Sequence, residues 1–280
     1  MKNYAYVTLM THNEYMIPAM VLIDRWKQTK SIYPLYIMIT SRITKENVDI
    51  LSMLGYHIIY IEEYIPTNYL KIFNSAGVTW QSALHGSSLE KGGWVHSFNK
   101  FQVWKLTQFE KVCFLDLDLF IIRNLDNVFD YSEFTCAWRE DNEVCSQIFI
   151  AEPNLHLYET ICNFANNYVI PFERYGLENV LYVDEDIFRD FFKIKQYLPQ
   201  NYDYQCYDRH GWEGKNTFID WPKAIHFTSK AKPWLNGREY VHDLDLNNNY
   251  LYVAAWMLYI DTYENIIQTL HQKGVHYGKI

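Results

Sequence analysis

The sequence predicts an α/β fold organised as one domain, and three observations support this prediction. In the first sixty residues, short apolar runs typical of buried strands alternate with segments in which apolar residues recur every three to four positions, as in helices. The chain has 280 residues, enough for one large domain. No internal repeat, low-complexity run or proline-rich linker divides it. Strand–helix–strand order with short connections implies parallel strands and right-handed crossovers, as in a Rossmann-like half.

The predicted elements follow one another along the chain. Thr44 is the expected N-cap of the second helix, and Gly55 is its expected stop. Residues 62–97 lose periodicity and predict a long functional loop or lid. The predicted strands are 4–10, 35–39, 57–61, 111–115, 134–138, 147–152 and 225–228, and the predicted helical segments are 13–30, 44–54, 98–109, 154–168, 186–192 and the last thirty residues.

Composition excludes several functional classes. The net charge of −8 gives no electrostatic footprint for nucleic acid, so an anionic ligand would need a local cation or a divalent metal. The apolar run 251–260 is too short to span a bilayer, and the first residues turn polar before a signal-peptide core forms. The five cysteines are an odd number without a C-x-x-C pair, which favours a reducing, cytoplasmic location. Aromatic residues, 24 of them Tyr, are expected mostly in the core.

Two carboxylates, Asp116 and Asp118, directly follow an apolar strand. On a continuing strand, residues i and i+2 face the same side, so both side chains could reach one hard cation. Burying two like charges is costly unless a cation or hydrogen-bond donors neutralise them. In the alternative interpretation, Asp116 caps the strand and Asp118 points to solvent. A D-x-D phosphatase is a further alternative. Such an enzyme is expected to have a small or hydroxyl residue soon after the motif, where this chain has Leu119 and Phe120.

A second group of candidate residues lies about 110 positions later, in AIHFTSKAKPW. His226 ends an apolar strand, and its imidazole beside the two carboxylates would give an oxygen and nitrogen donor set suited to Mn²⁺. Lys232 would supply a cation for phosphate oxygens, with Pro233 and Trp234 behind it. Taken singly, His226 is more simply a core histidine and Lys232 a surface lysine. Their joint occurrence with the D-x-D sequence favours the functional interpretation.

Several segments together resemble the glycogenin-like family 8 of retaining glycosyltransferases. NKFQVWKLTQFEKVCFLDLDLFII is similar to the family's Lys-x-x-x-Trp-x-Leu-Thr-Gln helix and its metal-binding D-x-D. YVTLMTHNEY resembles the uridine-binding turn, and HFTSKAKPW resembles the H-F-x-G-x-x-K-P-W segment. DEDIFRDFF and YLPQNYDY resemble the family's D-Q-x-x-x-N-x-x-F and L-P-x-x-Y-N segments. The similar segments come in the family's order.

The resemblance implies one GT-A domain over 1–280, Rossmann-like, with a mixed central sheet and C-terminal helices. Its nucleotide-binding half would cover about 1–120 and its acceptor and sugar half about 121–235, with a C-terminal helical segment over about 245–280. It also implies retaining transfer of a hexose from a UDP-sugar with Mn²⁺, or Mg²⁺ as a substitute, at the diphosphate. By position, the implied metal ligands are Asp116, Asp118 and His226, and Lys232 is the implied catalytic, phosphate-binding lysine. The other positions implied to bind the UDP-sugar are Leu9, Thr11, Tyr15, Lys100, Asp116, Leu117, Asp118 and Ser229.

Asp184 and Glu185 stand where the family has Asp and Gln beside the sugar ring, so the resemblance implies catalytic roles for both. The alternative is an acidic first turn that complements a helix dipole. Glu185 departs from the family because an ionised carboxylate accepts hydrogen bonds but cannot donate one. Further departures are His12 in place of Asn, the sequence VCSQ at 144–147 in place of F-N-S-G, and Ser229 in place of Gly. These departures bear most directly on the identity of the donor sugar.

The resemblance therefore favours a UDP-glucose-dependent transferase, with UDP-galactose second. The expected acceptor is a glycan or a protein tyrosine, including one of the chain's own, and the family favours a homodimer. The competing hypothesis is a catalytically silent module that binds nucleotide sugars or glycans.

Overall fold

The computed structural model describes residues 2–75, 93–137, 144–171, 182–193, 196–206, 222–228, 231–243 and 250–277. Within these ranges the strands are β1 (Tyr4–Met10), β2 (Leu35–Ile39), β3 (His57–Tyr60), β4 (Lys111–Leu115), β5 (Leu119–Ile121), β6 (Thr135–Ala137), β7 (Cys145–Ala151), β8 (Gln196–Tyr197), β9 (Tyr204–Cys206) and β10 (Ala224–Phe227). The α-helices are α1 (Met16–Gln28), α2 (Lys45–Leu54), α3 (Thr67–Ser75), α4 (Leu155–Asn166), α5 (Asp184–Phe191), α6 (Pro233–Asn236) and α7 (Tyr250–Gln272). Segments of 3₁₀ helix cover Asn13–Tyr15, Gly93–Lys105, Asp126–Asp130, Gln200–Tyr202 and Glu239–Asp243.

A mixed sheet with the strand order β3-β2-β1-β4-β7-β6-β8 forms the centre of the molecule. Strands β3, β2, β1 and β4 are parallel, as the alternating sequence predicts, whereas β7 pairs antiparallel to β4. Neighbouring residues of β1 face opposite sides of this sheet, since Tyr6 packs into one hydrophobic cluster while Ala5 and Val7 pack into another. Helices therefore cover both faces, and the predicted α/β fold with a mixed central sheet is confirmed.

A second, three-stranded sheet with the order β5-β10-β9 lies at the carboxyl end of β4. Strand β10 pairs antiparallel to β5, with His226 opposite Leu119, and parallel to β9, with His226 opposite Gln205. Residues 116–118 form the turn that connects β4 of the large sheet to β5 of the small one. The expectation that Asp116 and Asp118 continue one strand is therefore wrong, because the chain leaves the large sheet at Leu115.

Local sequence signals explain both ends of α2. The Thr44 side chain accepts a hydrogen bond from the amide of Asn47, and Gly55 adopts the left-handed conformation (φ 99°) that ends α2. The prediction of a loop throughout 62–97 is wrong in part, since α3 and the start of the Gly93–Lys105 segment lie within it. Residues 76–92 of the predicted lid lie outside the described residues. Among the described helices, none combines the length and apolar character that crossing a membrane requires.

Candidate active site

The turn at 116–118 lies where the two sheets meet. The amide of Asp116 donates to the carbonyl of Gln147 in β7 (2.8 Å), and the amide of Phe227 in β10 donates to the carbonyl of Asp118 (3.3 Å). One end of the turn is thus fastened to the large sheet and the other to the small sheet. This backbone pairing brings side chains from distant parts of the sequence to the carboxyl end of β4, the edge at which open α/β sheets bind ligands.

The first cluster, here called the Asp116 cluster, is centred on the ammonium group of Lys100. Lys100 Nζ lies 2.8 Å from Asp116 Oδ2, 3.0 Å from Ser146 Oγ and 3.3 Å from Asp184 Oδ2. Ser146 Oγ in turn donates to Asp184 Oδ2 (2.7 Å). The Asp116 cluster is completed by Glu185, whose Oε1 accepts hydrogen bonds from the Ser146 amide (3.1 Å) and from the Gln147 side chain. The predicted residues Lys100, Asp116, Asp184 and Glu185 are therefore brought together.

The second cluster, here called the Asp118 cluster, joins the turn to β10 and α6. Lys232 Nζ donates to Asp118 Oδ2 (3.1 Å) and also to the carbonyl oxygen of Phe227. His226 Nε2 lies 3.3 Å from Asp118 Oδ1. The other ring nitrogen, Nδ1, lies 3.5 Å from Asp203 Oδ1. His226 and Lys232, each more than 100 positions after Asp118 in the sequence, thus meet at its carboxylate, as their joint occurrence predicts.

The pKa values of the two carboxylates of the turn are shifted in opposite directions. Burial and the nearby charges of Asp118 and Asp184 outweigh Lys100 and raise the pKa of Asp116 to about 7. Burial alone would also raise the pKa of Asp118, but His226 and Lys232 outweigh it and lower this pKa well below its usual range. Strong perturbation of buried acidic groups is a common property of functional sites.

The predicted uridine-binding turn lies at the end of β1, beside this edge. Leu9 belongs to β1, and Thr11 follows it, with its hydroxyl 3.0 Å from His12 Nδ1. Tyr15 ends the 3₁₀ turn Asn13–Tyr15, and burial together with the charges of Asp118 and Asp116 raises its pKa to about 12. Tyr15 therefore lies within electrostatic reach of the D-x-D turn. Leu117 is the buried central residue of that turn, whereas Ser229 lies outside the described residues.

Within the described ranges, no three His, Cys, Asp or Glu side chains are arranged so that they could hold a metal ion. Asp116 and Asp118 instead form ion pairs with Lys100 and Lys232. The donor types of Asp116, Asp118 and His226 nevertheless fit a divalent cation such as Mn²⁺, which accepts carboxylate oxygens and imidazole nitrogens. Two carboxylates in one turn also carry the negative charge that such a cation would neutralise.

Three residues of the two clusters were absent from the predicted site: Ser146, Gln147 and Asp203. Ser146 and Gln147 belong to the VCSQ segment, which the sequence identified only as a departure from F-N-S-G. Asp203 ends the segment similar to L-P-x-x-Y-N, and its acidic side chain at the Asn position was the available signal.

The chain is similar to several known proteins along most of its length. The mannosyltransferase family model Mannosyl_trans3 matches residues 6–138. Human Glycogenin-1 is 22% identical over 292 residues, covering 98% of this chain and 76% of its own length. Human Glycogenin-2 is 25% identical over 239 residues, covering 82% of this chain and 43% of its own length. The chain is a glycosyltransferase that is similar to the glycogenins.

Solved structures support the fold of this glycogenin-like enzyme. The galactosyltransferase LgtC, in complex with donor and acceptor sugar analogues, matches with a TM-score of 0.59 and 12% identity, covering 93% of this chain and 95% of its own. An active-site mutant of LgtC in which Gln is replaced by Glu matches with a TM-score of 0.57 and 13% identity, covering 92% of this chain and 95% of its own. The predicted GT-A fold of the glycogenin-like chain is confirmed.

Proposed function

We propose that this glycosyltransferase transfers a hexose with retention from a UDP-sugar, glucose first and galactose second, to a glycan or a protein tyrosine. The observation that carries the proposal is the Asp118 cluster, in which a carboxylate, an imidazole and an ammonium group meet at the ligand-binding edge of the sheet. These groups provide what a departing nucleoside diphosphate requires, namely a place for a cation and a positively charged side chain. Leu9, Thr11 and Tyr15 are proposed to contact the uridine.

We assign a divalent cation, Mn²⁺ with Mg²⁺ as a substitute, to Asp116, Asp118 and His226. When bound, the cation would supply positive charge to the diphosphate oxygens. The ion pairs Lys100–Asp116 and Lys232–Asp118 hold the two carboxylates in place in the turn. Lys100 and Lys232 would then be available to the donor, since each is an ammonium group already placed beside the turn.

Lys232 has the role of stabilising the leaving group. Its Nζ is held between Asp118 Oδ2 and the carbonyl of Phe227, and its side chain is only 14% exposed. A positive charge that is largely shielded from water interacts more strongly with the charge that develops on UDP. Ser229, three residues before Lys232, and the backbone of Leu117 are proposed to contact the same donor.

The sugar is proposed to lie on the side of the Asp116 cluster. Asp184 is 4% exposed and accepts from Ser146, and Glu185 accepts from the backbone and side chain of 146–147. Two carboxylates at this place would accept hydrogen bonds from sugar hydroxyls, and Glu185 would stabilise positive charge on the ring as the bond to UDP breaks. A galactosyl-type donor preference is the alternative within this reaction.

The competing candidate is a silent module that binds nucleotide sugars or glycans, and Glu185 in place of the family's Gln favours it. One experiment separates the candidates. The chain is incubated with Mn²⁺ and, in turn, with UDP-glucose, UDP-galactose and a mannose-containing nucleotide sugar, the last because of the family model that matches residues 6–138. Released nucleotide and intact protein mass are measured.

Metal-dependent nucleotide release supports the proposal, and mass increases in hexose steps identify transfer to the chain itself. Asp118→Ala is expected to abolish release, whereas Asp49→Ala, which removes an exposed acid paired with Lys45, should retain it. Full activity of Asp118→Ala would contradict the metal assignment. Binding without release supports the silent module, and phosphate release from simple esters would support a phosphatase.

A further inference from the structure

Two buried polar atoms face each other behind the Asp118 cluster. His226 Nδ1 and Asp203 Oδ1 are 3.5 Å apart, and neither has a hydrogen-bond partner within the described parts of the chain. The exposed fractions of His226 and Asp203 are 4% and 5%. Leaving a buried polar atom without a partner destabilises the fold, so a hydrogen bond between these two atoms is the favourable arrangement.

The other oxygen of Asp203 is already engaged. Its Oδ2 lies 3.3 Å from the Gln205 side-chain nitrogen and 3.7 Å from the Cys145 sulfur. Gln205 Nε2 also lies 3.0 Å from this sulfur, so the three side chains form one packed group. These contacts orient the carboxylate with Oδ1 towards His226. The backbone places both partners, because His226 in β10 pairs with Gln205 in β9, two residues after Asp203.

We propose that Asp203 is a positioning residue for His226: it accepts the Nδ1 proton and thereby directs Nε2 towards Asp118 and the cation assigned there. The inference rests on the proposed function, because the cation gives the direction of Nε2 its importance. A histidine that binds a metal through one nitrogen commonly donates a hydrogen bond from the other, which fixes the tautomer and the ring orientation.

The chemistry of Asp203 suits this role better than that of the Asn found in the similar family segment. An ionised carboxylate only accepts hydrogen bonds, so it can pair with Nδ1 only when Nδ1 carries a proton. An amide can present either its oxygen or its NH₂ group, and the NH₂ group would favour the opposite tautomer. Asp203 therefore selects one tautomer of His226, where an Asn would permit both.

The first test measures Mn²⁺ affinity directly, by the electron paramagnetic resonance signal of the free ion during titration of the metal-free protein. Asp203→Ala should weaken Mn²⁺ binding by about 10- to 100-fold, the usual effect of removing such a partner. Asp203→Asn should lie between this variant and the wild type. The matched control is Asp126→Asn, which alters a carboxylate bonded to Tyr6 and Ser31 and should bind Mn²⁺ as the wild type does.

The second test observes the imidazole itself, by ¹⁵N nuclear magnetic resonance of histidine-labelled protein, first without metal and then with diamagnetic Mg²⁺. A His226→Gln variant identifies the signals. In the wild type, Nδ1 of His226 should be protonated in both states, and its signal should shift in Asp203→Asn and Asp203→Ala. Wild-type protein with an unprotonated Nδ1 overturns the proposal, as does Asp203→Ala with unchanged Mn²⁺ affinity and unchanged Nδ1.

The two proposals fail in different ways. If the wild type binds neither Mn²⁺ nor Mg²⁺, the metal assignment of the proposed function is wrong, and the metal-free spectra still decide the pairing of Asp203 with His226. If Asp203→Ala does not fold, Asp203→Asn and the wild-type spectra give the decision.

Discussion

The two clusters around the D-x-D turn differ sharply, although their central carboxylates are two residues apart. The Asp116 cluster surrounds one buried lysine with three acids, and Lys100 bonds two of them, Asp116 and Asp184. The Asp118 cluster surrounds one carboxylate with two basic side chains. The pKa of Asp116 is accordingly raised to about 7 by burial and by the neighbouring acids, whereas that of Asp118 is lowered by His226 and Lys232 against the effect of burial. One short motif therefore belongs to two different environments.

The difference suggests a division of labour. An acid-rich cluster is suited to sugar hydroxyls and to positive charge on a sugar ring, whereas a base-rich cluster is suited to the departing diphosphate. It also suggests that the two lysines contribute differently, with Lys100 needed mainly for the stability of the fold and Lys232 mainly for the reaction. Substituting each lysine in turn tests this comparison most directly.

The largest effects are expected for Lys100→Met and Lys232→Met. Lys100→Met leaves the buried Asp184 and the partly buried Asp116 without their cation, which should lower the free energy of unfolding by about 3–5 kcal/mol. Lys232→Met should instead reduce kcat by about 100- to 1,000-fold, because it removes charge that stabilises the leaving group. Urea denaturation and nucleotide release are measured on both variants, with Lys45→Met, from an exposed ion pair, as the control. If both variants lose stability and activity to the same extent, the proposed difference in role between Lys100 and Lys232 is wrong.

A smaller effect is expected for Glu185→Gln, which restores the amide of the family within the Asp116 cluster. The amide oxygen can still accept from the Ser146 backbone, so the free energy of unfolding should change by less than about 1 kcal/mol. The added NH₂ group can donate to a sugar hydroxyl, which should change the preference between UDP-glucose and UDP-galactose by about tenfold.

The measurement is kcat/KM for each donor, with Glu159→Gln on the exposed side of α4 as the control. An unchanged donor preference together with weaker Mn²⁺ binding would show that Glu185 acts on the metal and not on the sugar. The proposed difference between the two clusters would then be wrong.

The sequence predicted the fold best where a local pattern determines the element. Strands β1, β2 and β4 have their predicted bounds, because each is a short apolar run between polar residues. Strand β5 was missed because its three apolar residues follow the D-x-D turn without a break in hydropathy. Strand β9 is equally short, and it forms through pairing with β10, about twenty residues later.

The candidate site shows the same limit. Asp118, His226 and Lys232 were expected to meet because a histidine and a lysine of this kind occur together with the D-x-D sequence. The contacts of Lys100 with Ser146 and Asp184 depend on how β7 and α5 pack against the Gly93–Lys105 segment. Such packing cannot be predicted from a local sequence pattern. Asp203 likewise gains its neighbours only through the pairing of β9 with β10.

The smallest expected effect concerns His96, a buried histidine in the same 3₁₀ segment as Lys100. His96 lies four residues before Lys100 in the same 3₁₀ segment and is 5% exposed, with its ring 4.6 Å from that of His12. Burial and His12, with a smaller contribution from Arg42, outweigh Glu63 and lower the pKa of His96 to about 4. At neutral pH this histidine is therefore uncharged in the folded protein.

The lowered pKa predicts how stability depends on pH. Between an unfolded-state pKa of about 6.5 and the folded value of about 4, the unfolded chain binds a proton that folded His96 does not, so stability is lost as the pH falls. The loss is at most about 1.4 kcal/mol per pH unit, and it should be smaller in His96→Gln, which cannot take up the proton. Urea denaturation of both proteins at pH 7.5, 6 and 5 measures the difference. If His96→Gln loses stability as steeply as the wild type, folded His96 takes up its proton as readily as the unfolded chain does, and the lowered pKa is wrong.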